Sequence, residues 1–201
     1  MKKVVIFIMV SLFSFNTASA DSFNLITLQG MKIGESFIKY VDEATIKGTN
    51  NPKYKNNKYS TSTFDFSSSN DPQYFDFLNI SYKTSDKDYK ILEIGGQDLI
   101  NNMDECETKR DDLLNSMVVK SHDGTETSLL KNAKKTGPET NNHPADTSGK
   151  SKITDILYIF DTGTVHASCV DWSEETGYPD HLYFAITEKK FMAWKQKNSK
   201  Y

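Results

Sequence analysis

The chain has 201 residues, with 24 lysines and arginines against 27 acids and a formal net charge of −3. A mildly acidic balance gives no general attraction for phosphate backbones or anionic lipid, which argues against nucleic acid and membrane surfaces as main partners. After the first twenty residues no stretch is long and apolar enough to cross a bilayer, which takes about 20 apolar residues.

The chain begins with Lys2 and Lys3, an apolar run from Val4 to Phe15, and the small residues Ala18-Ser19-Ala20. That order predicts a secretory signal peptide over residues 1–20, cut after Ala20. No cysteine follows the cut, so a lipid anchor is not expected. The expectation is a periplasmic or secreted protein with one domain over residues 21–201. The signal holds two lysines and no acid, so its removal moves the net charge from −3 to −5.

Phe23 to Leu28 reads as a short extended segment leading to Gly30 and Gly34. Phe37, Ile38 and Val41 then fall at helical spacing, and Asp42 can cap a second short turn through Ile46. Lys47 to Lys58 is a polar loop. Three strands are predicted over Tyr59–Phe66, Tyr74–Lys83 and from Asp88 through Ile94, joined by short polar turns that favour antiparallel neighbours. Gly95-Gly96 reads as a bulge or turn, with no Lys-Ser or Lys-Thr after it to form a phosphate loop.

Asn102, with Glu105 three residues on, resembles a capping box and opens a long helix. Met103, Cys106, Leu113, Leu114 and Met117 share one stripe of it, interrupted by Arg110, the sole arginine. Residues 121–152 are rich in Asn, Thr, Ser, Gly, Pro and Lys, and read as a mobile loop, since so few apolar residues cannot offset the ordering entropy. Three more strands follow over Ile153–Phe160, Thr164–Asp171 and His181–Thr187. A closing helix carries Phe191 and Trp194 one turn apart. The expected fold is α+β: an antiparallel sheet of about six strands with helices packed on one face.

Two cysteines in an exported chain are expected to pair. Cys106 lies on the apolar stripe of its helix, and Cys169 shares a strand face with Val165 and Ala167. Each therefore sits where its element buries, and a helix laid across the sheet brings them together. Neither lies in a Cys-x-x-Cys or other catalytic pattern.

Asp161-Thr162-Gly163-Thr164 resembles the active-site motif of aspartic proteases, which implies Asp161 as a catalytic carboxylate sharing a proton with a second one in a symmetric dimer. The alternative is a three-residue hairpin connection with Gly163 in a left-handed conformation. His166 and His181 both face outward from their strands. Pairing places His181 near Val170, about four strand positions from His166, too far to share a metal ion. His122 and His143 fall in the predicted loop with no spacing to a partner ligand. The acids Asp104, Glu105, Glu107, Asp111 and Asp112 lack the glycine and alternating oxygens of a calcium loop. No cofactor motif and no metal-ligand set is read.

The stretch Leu28-Gln29-Gly30-Met31-Lys32-Ile33-Gly34-Glu35-Ser36-Phe37-Ile38, with Cys169-Val170-Asp171-Trp172-Ser173, resembles uncharacterised small exported proteins of GC-poor marine bacteria. That resemblance spans most of residues 21–201 and implies no activity. The Gly30-Met31 start into a helix is similar to the small envelope domains of outer-membrane-assembly lipoproteins and β-lactamase-inhibitor proteins. Their lipidated cysteine and second helix motif are missing here, so the similarity bears on architecture. The functional expectation is a non-catalytic exported module that binds a protein or a small ligand. The alternatives are an enzyme using Asp161 and an accessory protein without a ligand.

Overall fold

A computed structural model describes residues 22–51, 58–68 and 75–198; the predicted signal peptide lies outside the described residues. The fold is α+β, with ten strands and three α-helices among the described residues. The strands are β1 Asn50–Asn51, β2 Tyr59–Asp65, β3 Phe77–Lys83, β4 Ile91–Leu99, β5 Val118–Lys120, β6 Glu126–Ser128, β7 Lys134–Asn142, β8 Lys152–Ile159, β9 Gly163–Asp171 and β10 His181–Glu188. The helices are α1 Glu43–Gly48, α2 Met103–Asn115 and α3 Lys189–Asn198. None is long and apolar enough to cross a membrane.

Helix starts follow their caps. Asp42 accepts from the Thr45 N–H at 2.9 Å, and Asn102 accepts from the Glu105 N–H at 3.1 Å. The first turns of each helix thereby gain a partner for a backbone donor that the helix itself leaves unpaired. The helix expected at Ser36–Val41 is a single 3-10 turn, Phe37–Lys39; Phe37 is buried in the core and Val41 packs on it half-buried, while Ile38 stays exposed.

Eight strands form one sheet in the order β1-β2-β3-β4-β10-β9-β8-β7, and β5 and β6 form a separate hairpin. Every pairing is antiparallel. The meanders β2-β3-β4 and β8-β9-β10 meet at β4 and β10, where Phe184 pairs with Gly96 and Ile186 with Ile94. The main sheet is thus two strands wider than expected. One addition, β7, lies in the segment read as a loop, residues 121–152, which also contains β6. β7 is an edge strand with only Gly137 out of full exposure, and only its ladder to β8 holds it. A strand that buries neither face carries no alternating apolar pattern. Its lysines, Pro138 and bulge between Thr136 and Glu139 are features that keep edge strands from pairing with other chains.

The first face of the sheet is the apolar core. Ile80, Ile94, Phe184, Ile186, Val165 and Ala167 meet there and are fully buried. The N-terminal segment covers it with Phe23, Ile26, Phe37 and Ile46, and α2 covers it with Cys106 and Leu114. Cys106 and Cys169 are joined by a disulfide with Cα atoms 5.9 Å apart, as the two periodicities required. Arg110 is also buried on α2, and pairs with Asp111 at 2.9 Å.

The expectation of helices on one face is corrected by α3. Thr61, Ser81, Glu93 and Thr187 are cross-strand neighbours on the second face, alternating with the core residues. Against that face Phe191 and Trp194 of α3 pack on Tyr59, with ring centroids 4.9 and 4.5 Å away. Lys195 Nζ donates to Glu93 Oε2 at 2.6 Å, and Thr187 donates to the same oxygen at 2.9 Å. The physical reason is continuity: α3 follows β10 with no connecting loop, and its aromatic stripe fits the side on which Tyr59 stands.

Three glycines act through space. Gly95 and Gly96 lie within β4 and form no turn. A Cβ at Gly96 would meet the Phe75 ring at 2.4 Å, and Gly95 leaves room for Tyr183 on the opposite face. Asp161 and Thr162 do connect β8 to β9, with the Phe160 N–H bonded to the Gly163 carbonyl at 2.9 Å. Gly163 is not among the positive-φ residues, so the expected left-handed position is absent. Its missing side chain instead admits Phe23, whose ring would lie 2.1 Å from a Cβ there.

Candidate functional site

At the end of the second face away from α3, three segments enclose a cleft of about 260 Å³. Gln97 near the end of β4 and His181 at the start of β10 form its floor. Trp172, Tyr178 and Pro179 come from the β9–β10 connection, and His143 and Ala145 from the β7–β8 connection. The volume falls just below the range of about 300–1,000 Å³ usual for drug-sized ligands.

Trp172 is the hub of the ring cluster. Its centroid lies 4.1 Å from His143, 5.0 Å from Tyr178 and 6.5 Å from His181. Alternation puts Trp172 on the second face of β9, and its backbone N–H is anchored by Asp180 Oδ1 at 2.6 Å. Tyr178 stands outermost, 64% exposed.

Asp146 locks the other wall. Its carboxylate accepts from the backbone and hydroxyl of both Ser148 and Ser151, at 2.6 to 2.9 Å. These bonds hold its carboxyl well below the usual carboxylate range. Ser151 is fully buried, and its Oγ accepts from the Ser173 N–H at 2.9 Å. The His143 N–H reaches the Ser151 carbonyl at 2.9 Å. The loop bearing His143 is therefore tied to the residue that follows Trp172.

The two imidazoles are hydrogen-bonded in complementary ways. His181 Nδ1 lies 3.1 Å from the Pro179 carbonyl, which can only accept, so Nδ1 carries the proton and the neutral ring keeps Nε2 as acceptor. His143 Nδ1 accepts from the Ala145 N–H at 3.2 Å, so the neutral ring carries its proton on Nε2. Burial lowers the pKa of His143, and the neighbouring His181 lowers it further. Burial likewise lowers that of His181, against the Pro179 carbonyl and Asp180, which raise it. Both rings are neutral at pH 7.

This has a measurable consequence. Unfolding returns both histidines to about 6.5, above their folded values. Between the folded and unfolded values the unfolded chain binds more protons, so stability rises with pH and levels off above about 6.5. The melting temperature is expected to fall on acidification from pH 6.5 to 5, and less so in a His143→Gln, His181→Gln double variant. An equal fall in that variant would assign the effect to other groups.

Further along the same face, His166 Nε2 lies 2.7 Å from Asp155 Oδ1, with the Tyr183 ring 5.8 Å from the imidazole. His181 pairs with Val170, as the register predicted, so His166 and His181 stand apart. His143, read as isolated, is brought to His181 and Trp172 by the β7–β8 turn. Neither Trp172 nor Tyr178 was singled out as a site residue, and no spacing in the chain relates them to His143. Among the described residues no three His, Cys, Asp or Glu side chains converge to hold a metal. Asp161 is exposed on the hairpin before β9. The nine residues of β9 separate it from Trp172 by roughly 30 Å at about 3.4 Å per residue. It takes no part in the cleft.

Compared with protein-family models, with curated proteins and with solved structures, the chain matches none.

Proposed function

We propose that this protein is an exported, non-catalytic binding module that takes a small ligand in the cleft around Trp172. The observation that carries the reading is the cleft itself: four aromatic or imidazole rings brought together from the β7–β8 connection and from the β9–β10 connection with the start of β10, on walls cross-tied through Asp146, Ser151 and Ser173. A concave site with a few fixed polar groups is the usual form of a small-ligand site. The signal-like leader and the disulfide favour an oxidising compartment, periplasmic or secreted. Among the described residues that line the cleft there is no nucleophile beside a base, and the His166–Asp155 pair lies outside the lining.

A thermal-shift screen of residues 21–201 against small organic cations, sugars, amino acids and carboxylates tests the reading. A ligand at one hundred times its dissociation constant is expected to add about 2.7 kcal/mol of stability. That gain should vanish in Trp172→Ala. A set of ligands that stabilise the variant and the parent equally would remove the cleft as the binding site.

A further inference from the structure

The charge around the cleft is one-sided. Among the described residues no lysine or arginine lines it. Of the nearby lysines, Lys150 is paired with Glu175 and Lys152 bonds to Asn142. Beside the action of His181 on His143, the charged groups that act on the two imidazoles are carboxylates: Asp155 and Asp146 on His143, and Asp180 on His181. These three carboxylates lie outside the lining, and their field disfavours an anionic ligand. A positive ligand is favoured by that field and by the rings of Trp172 and Tyr178, whose electron-rich faces attract a cation within about 6 Å.

The same carboxylates already have protein partners. Asp146 accepts from Ser148 and Ser151, Asp180 from the Trp172 N–H, and Asp155 faces His166. A primary ammonium entering the cleft gives up strong hydration and has three donors to satisfy, where the side chains of the described lining offer His181 Nε2 and the Gln97 carboxamide as acceptors. A metal ion needs a ligand set that does not converge here. A quaternary ammonium donates no hydrogen bond, and its methyl groups suit a lining of rings, Ala145 and Pro179.

Resting on the cleft reading above, we propose that the ligand class is a small organic cation bearing a quaternary ammonium group, held against Trp172 and Tyr178. The neutral imidazoles permit this at pH 7, and their protonation would place two positive charges beside the cation.

The test is calorimetric titration of residues 21–201 with choline chloride and with 3,3-dimethylbutan-1-ol, the uncharged carbon analogue of choline. The expected result is binding of choline roughly tenfold tighter than the analogue. Choline affinity should drop several-fold in Tyr178→Ala, whose exposed side chain makes loss of folding no explanation, and be lost in Trp172→Ala. It should also weaken between pH 7.5 and 5. Equal binding of the two compounds, or choline binding unchanged by Tyr178→Ala and Trp172→Ala, overturns the proposal. A sugar or carboxylate that binds where choline does not, and is lost in Trp172→Ala, overturns the ligand class while leaving the cleft as a binding site. If no compound in the screen binds in a Trp172-dependent way, both readings fall.

Discussion

Replacing Cys106 and Cys169 together by alanine is expected to lower stability by about 4 kcal/mol. The bridge joins residues 63 apart in sequence. Opening a loop of that length frees about this much chain entropy in the unfolded state. For a domain of this size the loss corresponds to a melting temperature lower by roughly 8–16 °C. Besides the bridge, α2 is held by the buried Arg110 and Leu114, by the half-buried Met103 and Leu113, and by the Lys109–Asp98 pair at 2.8 Å. A helix of that length is marginal alone in water. Thermal unfolding followed by circular dichroism, on the variant and on the parent with and without reductant, measures the effect. An unchanged midpoint would mean that Leu114 and its neighbours hold α2 without the sulfur link.

The second large effect is expected at α3. Lys195→Met leaves the Glu93 carboxylate, 5% exposed, with only the Thr187 hydroxyl as partner. Removing one member of a buried ion pair costs about 3–5 kcal/mol, mostly the penalty for the charge left behind. Glu93→Gln combined with Lys195→Met removes that charge and should recover much of the loss, so the two changes are strongly non-additive. Urea unfolding of the two single variants and the double variant gives the coupling directly. Additive losses would show that the pair is solvated in solution. Because α3 covers the Thr187 end of β10 and the cleft lies at the His181 end, ligand affinity should be unchanged in Lys195→Met well below its melting temperature.

Six strands were legible because their large apolar residues alternate with smaller or more polar ones: Leu182, Phe184 and Ile186 against Tyr183, Ala185 and Thr187 is the clearest case. β7 was not legible. Lys134–Asn142 buries neither face, so nothing distinguishes it from a polar loop until β8 pairs with it. The same segment hid the site, since His143 gains its role only when the β7–β8 turn brings it to a tryptophan 29 positions later. Asp161, the most suggestive motif residue, stands at the far end of β9 because Asp-Thr-Gly here makes a turn and Gly163 makes room for Phe23.

By itself the amino-acid order determined six of the strands, the capped start of α2 and the partner of each cysteine, because local periodicity and a single possible pairing carry that information. Only the tertiary structure decided which face α3 covers, that an exposed edge strand extends the sheet, and that His143, Trp172, Tyr178 and His181 share one cleft. Those outcomes depend on contacts between residues far apart in the chain, and such contacts leave no period in the sequence.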